Sequence, residues 1–298
     1  MPSVRDLRDR IRSLKNTQQI TKAMKQVAAA KIRRAEAAQK RARPYAEALS
    51  EMLADLIGAV TTVDHPFMKP GKDGAPAGIV LISADKGLAG AFNSNVIAAG
   101  ERFAREQSAV RYYSVGIKAR NAVRRLGIAD HATWSLGGDS KLHTAREVAD
   151  KAAEDFKAGE ISEIVLVSQK LVSMMSQRPE IRKLVPIENT STQNTLSASE
   201  QRERRHDGSE SKGAVEFSPS PEFVLSRLLP KYLEFTIYSA MLETDAAFFA
   251  AQLVAMTNAT DNASKLIDEL TIAMNNARQA AITKELLEIV AGAEALGV

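Results

Sequence analysis

The 298-residue chain contains no cysteine, which excludes disulfides, thiolate metal sites and a thiol nucleophile by count alone. Aromatic residues make up only 5% of it, with a single Trp. Few aromatics together with abundant Ala favour long exposed helices over a thick globular core. Apolar runs such as 79–82 and 164–167 fall far short of the roughly 20 residues that span a bilayer. The N-terminal segment has no basic stretch followed by an apolar core and a small-residue cleavage site, so no secretory signal is expected and a cytosolic location follows. The four histidines, His65, His131, His143 and His206, lack metal-ligand spacing. No Ser-His-Asp set or carboxylate pair emerges from the spacing either, so no catalytic residue, metal or cofactor is expected.

What is present is an ordinary globular balance, 45% hydrophobic and 26% charged, in a length with room for about two domains. Charge is distributed unevenly. Residues 1–43 carry thirteen Lys or Arg against Asp6, Asp9 and Glu36, a net of +10. Residues 245–298 carry seven acids against Lys265, Arg278 and Lys284, a net of −4. The two ends should attract each other.

Both ends read as long helices. In the first, Val4, Leu7, Ile11 and Leu14 and then Thr17, Ile20, Met24 and Val27 recur at steps of three and four, the stripe of a coiled-coil seam. Helix formers continue through Ala42, Pro44 marks a bend, and a further apolar stretch fills 49–57. In the second, the pattern starts near Glu222 and passes Pro230, where a kink is expected. Leu253, Met256, Ala263, Leu266, Leu270, Met274, Ala277 and Ala281 then share one stripe. Helices this long are not stable alone. The expected arrangement is an antiparallel coiled coil of residues 1–58 and 219–298, with Ile20, Met24, Val27 and Met274 in the seam. The last ten residues, IVAGAEALGV, hold one charge, Glu294. Such a greasy helix end, with Ile289, Val290 and Leu296, fits inside an apolar sleeve made by other subunits.

Between the ends the grammar changes. Residues 78–83 (GIVLIS), 110–115 (VRYYSV) and 164–168 (IVLVS) read as strands, with helical stretches near 95–106, 118–125 and 142–159. This alternation predicts a small Rossmann-like α/β domain over 76–188 with a parallel or mixed sheet. Residues 189–213 are polar and read as a mobile loop. The Gly-rich turn at 85–90 (DKGLAG) follows a strand, where backbone N–H groups can meet a phosphate. It matches neither a P-loop nor the three-glycine dinucleotide fingerprint, so a structural turn is the expectation. The basic first helix could bind nucleic acid. Its continuous apolar seam and the lack of any aromatic residue in 1–43 for base stacking speak against that partner.

Several stretches carry a family resemblance. Residues 11–31 (IRSLKNTQQITKAMKQVAAAK) and 277–293 (ARQAAITKELLEIVAGA), with DKGLAG at 85–90, MSQ at 175–177 and ATDNASK at 259–265, resemble the gamma-subunit family of F-type ATP synthases, the central-stalk rotors. Two departures from the family pattern stand out: Ala89 where many members have Cys, and a segment at 189–213 longer than in many relatives. The resemblance implies a non-catalytic shaft. It would run in single copy through a ring of α and β subunits, sit on the c-ring beside the epsilon subunit, and force each β subunit in turn to bind, make and release ATP. It implies a peripheral place on the cytoplasmic face of a bacterial inner membrane. It also places Arg278 and Gln279, with Thr283, Glu285 and Asn262, against a β-subunit loop that acts as a catch.

Overall fold

The computed structural model describes residues 3–59, 65–128, 130–137, 140–187 and 220–295. The elements run α1 (Val4–Ala59), a single 3-10 turn (Pro66–Met68), β1 (Ala77–Ile82), α2 (Phe92–Arg105), β2 (Val110–Val115), α3 (Ile117–Arg125), β3 (Asp130–Trp134), α4 (Lys141–Lys157), β4 (Glu163–Ser173), β5 (Ser176–Val185) and α5 (Pro221–Ala295). This is the expected mixed α/β chain with long terminal helices. It divides into two compact units, Lys31–Ala251 and Met1–Ala30 with Gln252–Val298.

In the larger unit five strands form one sheet in the order β3-β2-β1-β4-β5. The pairs β1–β2, β1–β4 and β2–β3 are parallel, and β4–β5 is antiparallel. β1 is buried along its whole length, as expected for a central strand covered on both faces. Ile79 and Leu81 face one side, with Tyr112, Val165 and Val167, against Val96 and Ala99 of α2 and Ala119 and Val123 of α3. Val80 and Ile82 face the other side, with Tyr113, Val115, Ile164 and Leu166, against Val148 and Ala152 of α4.

Sequence reasoning finds the three inner strands and misses β3 and β5. Both are edge strands. β3 is short and mixed, and β5 carries Pro179 and four charged residues, devices that keep an edge from pairing with foreign strands. They also erase the alternation by which strands are recognised.

A second correction concerns the long helices. Leu49, Leu53 and Leu56 of α1 and Leu225, Leu229, Leu233, Ile237 and Met241 of α5 belong to the same buried cluster as the sheet residues. The first thirty residues of α5 are therefore a layer of the α/β unit, and not only one strand of a coiled coil. Within this unit the two helices run antiparallel. Tyr45 packs at a tilt against Phe235 with ring centroids 4.4 Å apart, and the Lys31 ammonium lies over the Phe249 ring. Neither Pro44 nor Pro230 ends its helix; the buried leucines on both sides of Pro230 hold the chain through the missing hydrogen bond.

The smaller unit is a helix pair. α1 opens with a reciprocal cap in which the Ser3 hydroxyl accepts from the Asp6 N–H and the Asp6 carboxylate accepts from the Ser3 N–H, each at 3.2 Å. Its buried positions are Leu7, Ile11, Thr21 and Ala28, with Leu14, Gln18 and Lys25 half-buried between them. Positions 7, 11, 14, 18, 21, 25 and 28 keep an unbroken four-three rhythm. The seam expected from the sequence leaves that rhythm after Leu14. Ile20 and Val27 accordingly stand 60% and 53% exposed, while Met24 and Met274 are half-buried at the edge. The heptad period outweighs local hydrophobicity here, because a seam that shifted by one residue would lose its partner within a turn.

Candidate functional site

In a sheet of this order the chain runs outward from β1 to β3 and then returns to β4, so the switch point lies between β1 and β4. Ligands of open α/β sheets bind just outside the carboxyl ends of the strands at that point. Here the position is occupied by the chain itself. Asp85, after β1, accepts from the Ile117 N–H (2.9 Å), the Ser135 hydroxyl (2.8 Å) and the N–H groups of Leu136 (3.3 Å) and Gly137 (2.8 Å). The Ser83 hydroxyl accepts from the Ala119 N–H at 2.6 Å, and the Ala84 carbonyl accepts from the Lys118 N–H. The first three N–H groups of α3, which would otherwise greet a phosphate, are thus all engaged. Gly116 just before them, at φ 96°, is the only residue type that fits, since a Cβ would lie 2.1 Å from the Ser83 carbonyl oxygen.

The rest of the crevice is closed by packing. Asn93 accepts from the Ala84 N–H and donates to the Lys86 carbonyl. The Gln169 side chain donates to the Phe92 carbonyl at 2.8 Å. Ala84, Ala89 and Phe92 pack on Ala247, Phe248 and Ala251 of α5. The turn at 85–90 contributes the Asp85 carboxylate, the Lys86 carbonyl and Ala89 to this packing.

The most densely charged interior point is Asp155 on α4. It accepts from the Tyr113 hydroxyl (2.6 Å) and Lys151 (2.9 Å), and His131 Nε2 lies 2.7 Å away. Burial pushes its carboxyl up, but the hydrogen bonds from Tyr113 and Lys151 and the charges of His131 and Lys151 outweigh this and leave it lowered. The cluster ties β2, β3 and α4 together. Among the described residues no group of His, Asp and Glu is placed to hold a metal ion.

The helix pair offers a different surface. The Thr260 hydroxyl lies 2.9 Å from that of Thr21, a polar contact between the helices that apolar patterning could not announce. Beside it Gln18, Lys22, Lys25, Ala29, Leu253 and Thr260 line a groove of about 460 Å³. Further along α5 cover from this chain ceases. From Arg278 to Ala291 every residue is exposed, including Ile282, Leu286, Leu287, Ile289 and Val290.

The expected catch residues Arg278, Gln279, Thr283 and Glu285 lie on this bare stretch, and Asn262 is exposed earlier on the same helix. The Thr283 hydroxyl donates to the Gln279 carbonyl at 3.0 Å. Among the described residues no side-chain-to-side-chain contact brings them together into one site. Leu296 of the expected tip and the segment 189–213 lie outside the described residues.

The structure thus defines a class of mixed α/β chain with long terminal helices, one of which carries an uncovered stretch, and a parallel-dominant sheet whose switch point is hydrogen-bonded by its own chain. A family model described as ATP synthase matches residues 3–296. The chain is 41% identical to the ATP synthase gamma chain of Heliobacterium modesticaldum over the full length of both. It is 44% identical to that of Pelotomaculum thermopropionicum over 99% of this chain and 100% of the relative. Among solved structures, a chain of the Euglena gracilis mitochondrial ATP synthase (OSCP/F1/c-ring, rotational state 3) superposes with a TM-score of 0.66 at 20% identity, over 98% of this chain and 94% of that one. The chain belongs to the ATP synthase gamma-chain family.

Proposed function

We propose that this chain is the central rotor shaft of a proton-translocating F-type ATP synthase. It carries rotation of a membrane c-ring into the α and β subunits, where ADP and phosphate are joined, and it has no active site of its own. The observation that carries this reading is the bare end of α5. Fourteen successive exposed residues, five of them large and apolar, would be costly in water and make sense inside a sleeve of other subunits. In this reading the shaft is present in single copy, with the epsilon subunit beside the α/β unit. The complex keeps it at the cytoplasmic face of a bacterial inner membrane. No described helix is long and apolar enough to cross a membrane, which is consistent with a peripheral place.

The catch belongs to the same proposal. Arg278 is exposed on the bare stretch with no ion-pair partner among the described residues, and Gln279, Thr283, Glu285 and Asn262 lie on the same helix. A guanidinium makes directional, bidentate contacts with a carboxylate that a Lys does not reproduce. Made at some rotary angles and broken at others, such a contact with a β-subunit loop would favour particular positions of the shaft. A charge-assisted hydrogen bond contributes about 1.5–3 kcal/mol, so its loss slows turnover by roughly one to two powers of ten where it steadies the limiting state. The test is ATP synthesis and hydrolysis by reconstituted complexes carrying Arg278→Ala or Arg278→Lys, after co-purification with α and β has been verified. Both variants should be slow; full activity in both would remove the catch, and failure of the wild-type chain to co-purify with α and β would remove the shaft.

A further inference from the structure

The hairpin between β4 and β5 has an apolar, exposed tip: Val172 is 57%, Met174 40% and Met175 82% exposed. Exposure by itself says little, but this tip is held rigidly. The Ser173 hydroxyl accepts from the N–H groups of Met175 (3.3 Å) and Ser176 (3.1 Å). The Gln177 side-chain amide donates to the carbonyls of Ser173 (3.3 Å) and Met174 (3.0 Å). Behind the turn, Leu171 packs with Phe92 and Phe248 and anchors the strand end. Turns are dominated by Gly, Pro, Asn, Asp and Ser; Ser173 and Ser176 fit that rule, and the two methionines between them do not. Two outward methionines on a braced turn supply adaptable apolar contact with little ordering left to do on binding.

Charge narrows the occupant. Lys170 and Arg182 are both engaged by Glu180, at 3.2 and 2.8 Å. Arg178, in register with Lys170 on the neighbouring strand, is exposed and has no carboxylate partner among the described residues. We propose that the hairpin tip docks on another protein subunit of the assembled enzyme, one that presents an apolar hollow with a carboxylate at its rim for Arg178. An anionic lipid surface is a poorer fit, because such surfaces are recognised by clusters of about 4–8 cations and the tip has one unpaired cation and no Trp or Tyr. A second copy of this chain is poorer still, since a two-fold contact at the tip would bring Arg178 toward its own twin.

The inference rests on the chain's place in the complex, so assembly is scored first, by co-purification with α and β. The probe is hydrogen peroxide, which converts accessible methionine to the sulfoxide, read by peptide mass spectrometry on the free full-length chain and on the purified complex. A tip covered about nine-tenths of the time reacts about tenfold more slowly, so Met174 and Met175 should show that protection in the complex. Met241, fully buried in the free chain, should stay unoxidised in both and certifies folding. Arg178→Gln should assemble and yet lose most of the protection at Met175. Equal oxidation in free and assembled chains would overturn the proposal. So would protection of the free chain by anionic phosphatidylserine vesicles or by raising its own concentration.

Discussion

At Asp155 a Tyr hydroxyl, a Lys ammonium and a His imidazole converge on one buried carboxylate. Its carboxyl is held below the usual aspartate value of 3.8. A lowered folded-state value means stabilisation that is complete above the unfolded value and is lost as pH falls through the folded one. The same contact works on Tyr113, where burial first and the hydrogen bond to Asp155 second push the phenol far up. Asp155→Asn is expected to lower the unfolding free energy by about 1.5–3 kcal/mol at neutral pH, measured by urea denaturation. The gap between variant and wild type should close in acid below pH 3.8. A constant gap down to strongly acid pH would mean that Asp155 contributes by shape and not by charge. None of this was legible beforehand: His131 and Asp155 sit 24 positions apart, on an edge strand and a helix whose juxtaposition only the β2–β3 pairing creates.

Among the elements, α1 repays comparison of expectation with outcome. Its existence and length were readable from apolar steps of three and four, and so was its seam as far as Leu14, but not beyond. Ile20 and Val27 are more hydrophobic than Thr21 and Ala28, and pattern reading favours the larger side chains. The folded helix buries the smaller pair instead, because the heptad set by Leu7 and Ile11 reaches positions 21 and 28. Two substitutions on the isolated chain separate the readings. Val27→Asp should change stability by less than about 0.5 kcal/mol, whereas Ala28→Leu, at a position with no exposed surface, should cost about 1–3 kcal/mol through overpacking. Thermal unfolding followed by circular dichroism reads both, and the reverse order would restore Val27 to the seam. The edge strands were hidden for a different reason, since the Pro and charges that protect β5 are the features that argue against a strand. The filled crevice was legible only as a Gly-rich turn that failed to match a nucleotide motif; that Asp85 stands in for an anion required the fold.

For the whole molecule, the division of labour between the units predicts separable defects. Residues from Arg278 to Ala291 are all exposed. Deletion from Ala280 to the C-terminus should leave the thermal unfolding midpoint of the isolated chain nearly unchanged while turnover of the assembled enzyme falls. Unfolding of the isolated chain on this deletion would show that the tip supports the fold after all. One further property follows from α5 being a single helix that serves both units. Along an α-helix each residue advances the facing by about 100°, so the number of residues in α5 is a mechanical phase. Within the helix pair, one inserted alanine after Thr257 would rotate every later side chain by that angle relative to Leu253 and Met256 and carry Thr260 off the Thr21 face. Seven inserted residues would bring the facing back to within about 20°. Insertions and deletions in this helix are thus not gradual changes of length. They retime it, and even a heptad that restores the facing moves the later residues about 10 Å along their partner.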